Sequence, residues 1–141
     1  MPNPKRSYNL LVVEDNEGDA HLIREAFREC GYDCLLHFAA STGLASDILQ
    51  SQHIDIILSD MSIRTAEGDS FLKVVRSDPR WKTIPIIVLS GSYNSHPAYE
   101  AGANAFILKS MDMDEFFSKI KSLMHFWVHI AELPARPFPH S

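Results

Sequence analysis

Apolar residues fall along the chain in two alternating kinds of cluster. Short runs at Tyr8–Val13, Cys34–Phe38, Ile54–Leu58, Ile84–Leu89 and Ala105–Leu108 are mostly apolar throughout, rather than at every second position. Such runs predict strands covered on both faces, as in a parallel sheet. Between them the apolar positions recur every three or four residues, which predicts helices. Leu22, Ile23, Ala26, Phe27 and Cys30 form the first stripe, and Gly31 is placed to end it. Leu44, Ile48 and Leu49 mark a second helix, with Ser41 as its N-cap. Phe71, Leu72, Val74 and Val75 mark a third, stopped before Pro79. A short fourth segment covers Pro97–Ala101, ahead of Gly102. The fifth runs through Met113, Phe116, Phe117, Ile120, Leu123, Met124 and Trp127, and Asp112 with Glu115 has the spacing of a capping box.

Strand and helix alternate five times, which predicts an α/β doubly wound fold with right-handed crossovers. One domain is expected over 8–133, between a flexible N-terminus, 1–7, and a proline-rich tail, 134–141 ("PARPFPHS").

Composition narrows the function classes. The 141 residues suit a single domain, and the formal net charge of −5 argues against a nucleic-acid surface, which needs a basic patch. There is no apolar run long enough to span a membrane and no signal-peptide core in "MPNPKRSYN", so a cytoplasmic protein is expected. Cys30 and Cys34, the only cysteines, are then expected as free thiols packed as small apolar residues. His125 and His129 stand four apart, but no third ligand is evident, so a metal site there is not expected.

The candidate chemistry lies where the predicted strands end. In an open α/β sheet, ligands bind outside the carboxyl ends of the strands. Glu14 and Asp15 follow the first strand, Asp60 the third, Ser90 the fourth and Lys109 the fifth. Adjacent carboxylates repel one another, and the repulsion grows as they lose water. A cluster of hard oxygen ligands suits Mg²⁺, whose charge offsets that repulsion. Lys109 supplies a further positive charge for an incoming phosphoryl group. A carboxylate can itself accept a phosphoryl group, and such transfer needs positioning and charge neutralisation more than acid–base chemistry.

These residues sit in a set of motifs: "VVEDN" (12–16), "ILSDMS" (57–62), "EGDSFL" (67–72), "IIVLSG" (86–91) and "AGANAFILK" (101–109). Together they resemble the CheY-like receiver domain of two-component response regulators, over roughly residues 8–130. The resemblance implies a flavodoxin-like, CheY-like five-stranded parallel sheet of order 2-1-3-4-5 with five helices. It implies Asp60 as phosphoacceptor, with Mg²⁺ held by Glu14, Asp15, the Asp60 carboxylate and the backbone carbonyl of Ser62. Ser90 becomes the switch hydroxyl, Lys109 the phosphoryl-binding lysine and Phe106 the switch aromatic. The partner implied is a sensor histidine kinase. "VEDNEGDAHLIREAF" and "FWVHIAELP" resemble the small regulators associated with bacterial phytochromes, in which the receiver is the whole protein. Two positions depart from the wider pattern: Arg64 and Ser110 each replace a common proline. The family's bond after the lysine is usually cis, and the same is expected here of Lys109–Ser110.

Other readings fit less well. A flavodoxin-like cofactor binder would carry a Ser-, Thr- and Gly-rich first loop, where this one is acidic. An aspartyl-nucleophile phosphohydrolase would need a second acid two residues after Asp60, where Ser62 stands. A docking-only degenerate receiver would not keep the full acidic, serine and lysine set.

The last helix carries more apolar residues than one inward stripe can use. Phe126, Trp127, Val128 and Ile130 cannot all face inward, because successive helical residues point ~100° apart. Phe126, Trp127 and Ile130 are therefore expected to form a partner surface, in a homodimer or toward an unidentified output protein.

Overall fold

Each apolar run forms a strand of one sheet in the computed structural model, which describes residues 7–134. The expected flexible ends fall outside the described residues but for Ser7 and Pro134. The elements are β1 (Tyr8–Val13), α1 (Glu17–Cys30), β2 (Cys34–Ala39), α2 (Thr42–Ser51), β3 (Ile56–Asp60), α3 (Phe71–Ser77), β4 (Ile86–Ser90), α4 (His96–Glu100), β5 (Ala105–Leu108) and α5 (Met113–His125). The strands pair in parallel in the order β2-β1-β3-β4-β5, as expected. β3 and β4 each begin two residues later than the apolar runs and reach into the polar tips. The ladder continues through Val13↔Ser59, Asp60↔Leu89 and Ser90↔Leu108, so backbone pairing carries the strands past their last apolar side chain.

Helices cover both faces of the sheet. Leu10, Val12, Ile56, Leu58, Ile87 and Leu89 meet Ile23, Ala26 and Phe27 of α1 and Phe116, Ile120 and Met124 of α5. Leu11, Val13, Ile57, Ile86 and Val88 meet Ala45 and Leu49 of α2, Phe71, Leu72 and Val75 of α3, and Ala98 of α4. Because consecutive side chains alternate between faces, both parities of a central strand are covered, and only Asn9 and Asp60 of β1, β3 and β4 are partly exposed, which explains the unbroken apolar runs.

Local signals set the helix ends. Asn16 Oδ1 accepts from the Asp19 N–H at 2.9 Å, Ser41 Oγ from Leu44 at 3.2 Å and Asp112 Oδ1 from Glu115 at 3.2 Å. Gly31 ends α1 with φ 76°. Cys30 and Cys34 are free, and burial pushes the Cys34 thiol up to about 12.

Two expectations need correction. The Lys109–Ser110 bond is trans, since no cis peptide occurs among the described residues. Serine lacks the tertiary amide that makes cis cheap for proline, and cis costs ~3–4 kcal/mol before any other residue. The fifth helix also does not continue regularly through Trp127. It stops at His125, and Phe126–Ile130 form a π-helical turn in which Ala131 N donates to Phe126 O at 2.7 Å. Phe126 and Ile130 are exposed there, whereas Trp127 is half-buried against the α1–α5 core.

Arg76 ties α3 to the far end of the sheet. Its guanidinium donates to the carbonyls of Gly102 (2.9 Å), Lys82 (2.9 Å) and Ile84 (2.7 Å) and to Asn104 Oδ1 (2.6 Å). Asn104 Oδ1 also accepts from Ile86 N, so one cation fixes the entries of β4 and β5. Burial pushes the Arg76 pKa down, yet the four acceptors replace its water. Gly102 has φ 105°, and a Cβ there would stand 2.8 Å from Arg76 Cγ. Arg76→Met, which keeps the stem and loses every donor, should cost about 2–4 kcal/mol in urea unfolding. Gly102→Ala should also destabilise. A change within 0.5 kcal/mol for Arg76→Met would show the network to be dispensable.

Candidate functional site

The alternation of side chains along each strand sorts the polar tips. Leu10 and Val12 face the α1–α5 layer, so Glu14, the next residue of that parity, does too. Ile56 and Leu58 bring Asp60 to the same side, and Ala105 and Ile107 bring Lys109. The ladder holds one step beyond the strands, with Glu14 N donating to Ala39 O at 3.0 Å and Lys109 N to Ser90 O at 2.7 Å. Ile86 and Val88 face the other layer, so Ser90 follows them, beside Phe106, whose partner across the ladder is Val88. The acidic groups and the lysine thus share one side of the sheet edge, and the hydroxyl and the aromatic share the other.

The Lys109 ammonium lies at the centre of the acidic side. It donates to Glu14 Oε2 at 2.9 Å and to Asp19 Oδ2 at 2.7 Å, and stands 3.6 Å from Asp60 Oδ2, beyond hydrogen-bond distance. The Glu14 side chain is 1% exposed, those of Asp60 and Lys109 17% and 19%. Glu14 Oε1 accepts from Asn16 N at 3.1 Å, and Asp60 Oδ1 from Ser62 N at 3.1 Å. Oxygens of Glu14, Asp15 and Asp60 come within 4.8 Å of one another, the only such group of His, Cys, Asp or Glu side chains found among the described residues.

Burial raises the Glu14 pKa, and the Asp60 charge raises it further; Lys109 and the Asn16 N–H offset only part of this. Burial alone would lower Lys109, but its hydrogen bonds to Asp19 and Glu14 and the charge of Asp60 outweigh that, so its pKa is raised. The ammonium therefore stays charged, and the carboxylates around it outnumber the one cation.

The predicted residues gather as expected at the carboxyl edge, with differences in detail. Asp15 is exposed and Ser62 lies on an exposed turn. Ser90 is buried, and its hydroxyl accepts from Ser92 N at 3.1 Å. Phe106 is half-buried against the α2–α3–α4 core. Arg64, in place of a proline, pairs with Ser70 across a tight loop turned at Gly68, φ 88°.

Sequence reasoning assigned no role to Asp19. It is the third residue of α1, a place where an acid ordinarily answers the helix dipole, so its spacing alone carries no special signal. Only the packing of α1 over the strand tips shows that it reaches Lys109.

Lys109→Ala should leave Glu14 buried and unpaired beside two other carboxylates. A fully buried pair broken this way costs ~3–5 kcal/mol, and partial exposure here reduces that to about 2–3 kcal/mol at neutral pH without metal. The sign with pH follows from Glu14. Its pKa is raised in the fold, so the cost of its charged form is present above that raised value and fades as pH falls through it. The stability gap between Lys109→Ala and the unmodified protein should therefore narrow on acidification, as measured by chemical denaturation across pH. A gap that widens would contradict the burial of Glu14.

The geometry has close counterparts. Residues 10–121 match the response regulator receiver domain family. Response regulator Rcp1 of Synechocystis is 27% identical over 136 residues, covering 89% of this chain and 92% of that one. The crystal structure of the phosphorylated cyanobacterial phytochrome response regulator RcpA superposes with a TM-score of 0.80 at 27% identity, over 92% of this chain and all of that chain (100%). The Mn²⁺-bound form of Rcp1 gives a TM-score of 0.76 at 27% identity, over 91% and 99% of the two chains. With its strand order, acidic tip and central lysine, this chain belongs to the response regulator receiver domain family.

Proposed function

We propose that this protein accepts a phosphoryl group on Asp60 from a sensor histidine kinase, a phytochrome-linked one, and signals through protein–protein contacts in the cytoplasm. The observation that carries the reading is the Lys109 ammonium held between Glu14 and Asp19, with Asp60 3.6 Å away, within ionic attraction but outside hydrogen bonding. In this reading an Asp60 carboxylate oxygen attacks the phosphorus of a phosphohistidine. The new O–P bond forms as the P–N bond breaks, and the electron pair leaves on the imidazole nitrogen. The backbone N–H of Ser62 holds Asp60 Oδ1 and so fixes the carboxylate plane. Lys109 faces the transferred oxygens with its positive charge, and Ser90 supplies a hydroxyl from the other side of the strand edge.

Glu14, Asp15 and Asp60, with the Ser62 carbonyl, fit a divalent ion by their chemistry: hard oxygens, close together and short of positive charge. Mg²⁺ bound there would neutralise phosphoryl and carboxylate charge. The similarity to phosphorylated RcpA and to Mn²⁺-bound Rcp1 supports this assignment of roles. The phosphorylated state adds roughly two negative charges at the edge. Ser90 turning toward them gives up its bond to Ser92 N and opens space beside Phe106, which biases the face built from α4, β5 and α5. The protein itself promotes its phosphorylation and dephosphorylation and is not otherwise an enzyme. Neither a phosphohydrolase nor a docking-only receiver accounts for both Ser62 and the complete acidic set.

Asp60→Asn should abolish phosphoryl uptake from acetyl phosphate or a histidine kinase in Mg²⁺, read by intact mass, while the fold is retained. Undiminished uptake by Asp60→Asn would remove Asp60 as the acceptor.

The same reading includes a homodimer through the end of α5. Phe126 (46%) and Ile130 (64%) are exposed on the π-helical turn, and the Phe126 ring meets Trp127 edge-on at 5.3 Å. Two copies related by a twofold axis would cover both patches at once. Phe126→Ala with Ile130→Ala should shift sedimentation toward monomer at micromolar concentration and leave Asp60 uptake intact. A monomeric unmodified protein, with and without phosphoryl group, would assign the patch to another partner.

A further inference from the structure

We infer that Asp19 is a positioning residue for Lys109: it holds the ammonium outside hydrogen-bond distance of Asp60 until phosphoryl transfer. The inference deepens the phosphoacceptor reading and rests on it for the chemistry, though not for the geometry.

An ammonium has three N–H donors. One is taken by Glu14 Oε2 at 2.9 Å and one by Asp19 Oδ2 at 2.7 Å. Asp60 Oδ2, at 3.6 Å, is left within attraction but outside hydrogen bonding. The shorter of the two bonds is therefore to the residue least expected to matter. Charge-assisted bonds of this length are the strong ones.

The fold builds this contact deliberately at the backbone level. Asn16 caps α1 by accepting from the Asp19 N–H itself at 2.9 Å, which fixes the first turn. Gly18 leaves room for that cap, since a Cβ there would stand 3.2 Å from Asn16 Oδ1. α1 then packs on the layer that the strand parity assigns to Glu14, Asp60 and Lys109. Asp19 is partly exposed (side chain 41%), so it is not needed to fill the core.

Two consequences follow for the site. With Lys109 drawn aside, Asp60 Oδ2 keeps its lone pairs for attack on phosphorus. The same pull limits competition between the ammonium and a divalent ion for Asp60. When phosphoryl oxygens arrive, their charge outcompetes Asp19, and the ammonium needs only a short movement to reach them. Without the Asp19 carboxylate, Lys109 closes on Asp60, and one ion pair occupies a carboxylate that serves as both nucleophile and metal ligand.

The test is a double-mutant cycle over the unmodified protein, Asp19→Asn, Lys109→Ala and the double variant, with Asp19→Glu as the conservative control. Two quantities are read: Mg²⁺ affinity by calorimetry and the rate of phosphorylation by acetyl phosphate at saturating Mg²⁺. Circular dichroism melting confirms that each variant is folded. Asp19→Asn should weaken Mg²⁺ binding about fivefold or more and slow phosphorylation about tenfold, both within the range of coupled neighbours. Asp19→Glu should recover most of each. In the Lys109→Ala background the Asp19→Asn change should shrink to less than about twofold, because the residue acts through the lysine. An equal loss in both backgrounds would reduce Asp19 to one more negative charge near the cation site, and no loss in either would make it an ordinary first-turn acid; both overturn the inference. Should the unmodified protein take up no phosphoryl group on Asp60, the acceptor reading fails, and the Mg²⁺ cycle alone decides the role of Asp19.

Discussion

One ammonium group among four carboxylates governs the functional end of this protein. Lys109 reaches Glu14 and Asp19 directly and Asp60 at slightly longer range, with Asp15 exposed beside them. A carboxylate as buried as Glu14 survives in charged form only with a partner. The same shortage of positive charge that makes the edge costly in the fold makes it receptive to a divalent ion. Structural cost and functional competence thus come from a single electrostatic deficit.

The pleat of the sheet divides the remaining labour. Glu14, Asp60 and Lys109 point toward the α1–α5 layer, while Ser90 and Phe106 follow the parity of Val88 toward α2, α3 and α4. In the proposed switch, charge placed on Asp60 on one side of the sheet is answered on the other, across a single strand spacing of ~5 Å. Arg76 braces the far ends of β4 and β5 through three carbonyls and Asn104, a fixed base for the proposed shift at Ser90 and Phe106. The end of α5 belongs to a different balance. Widening into a π-helical turn lets Trp127 and Val128 rest on the core while Phe126 and Ile130 stay in water.

The fold class, the strand order implied by the family resemblance, and the gathering of Glu14, Asp15, Asp60, Ser90 and Lys109 were legible in the sequence. Continuous apolar runs and period-3.6 patterns are local, and the caps at Ser41 and Asp112 and the stop at Gly31 are local as well. Glycine at a left-handed turn and serine or aspartate at a helix start each need only their own neighbours. The carboxyl-edge rule then converts a list of strands into a list of site residues without any distance.

Tertiary structure decided what depends on approach between distant segments. Asp19 and Lys109 are 90 residues apart, and nothing in a first-turn acid announces a lysine at 2.7 Å. The π-helical turn and the half-burial of Trp127 depend on how α5 settles against its neighbours. Hydrophobic and capping signals are written in adjacent residues, so the chain itself determined its elements and the end at which its chemistry collects. Electrostatic pairing acts through space, and only the packed helices and sheet determined which carboxylates the one central ammonium would serve.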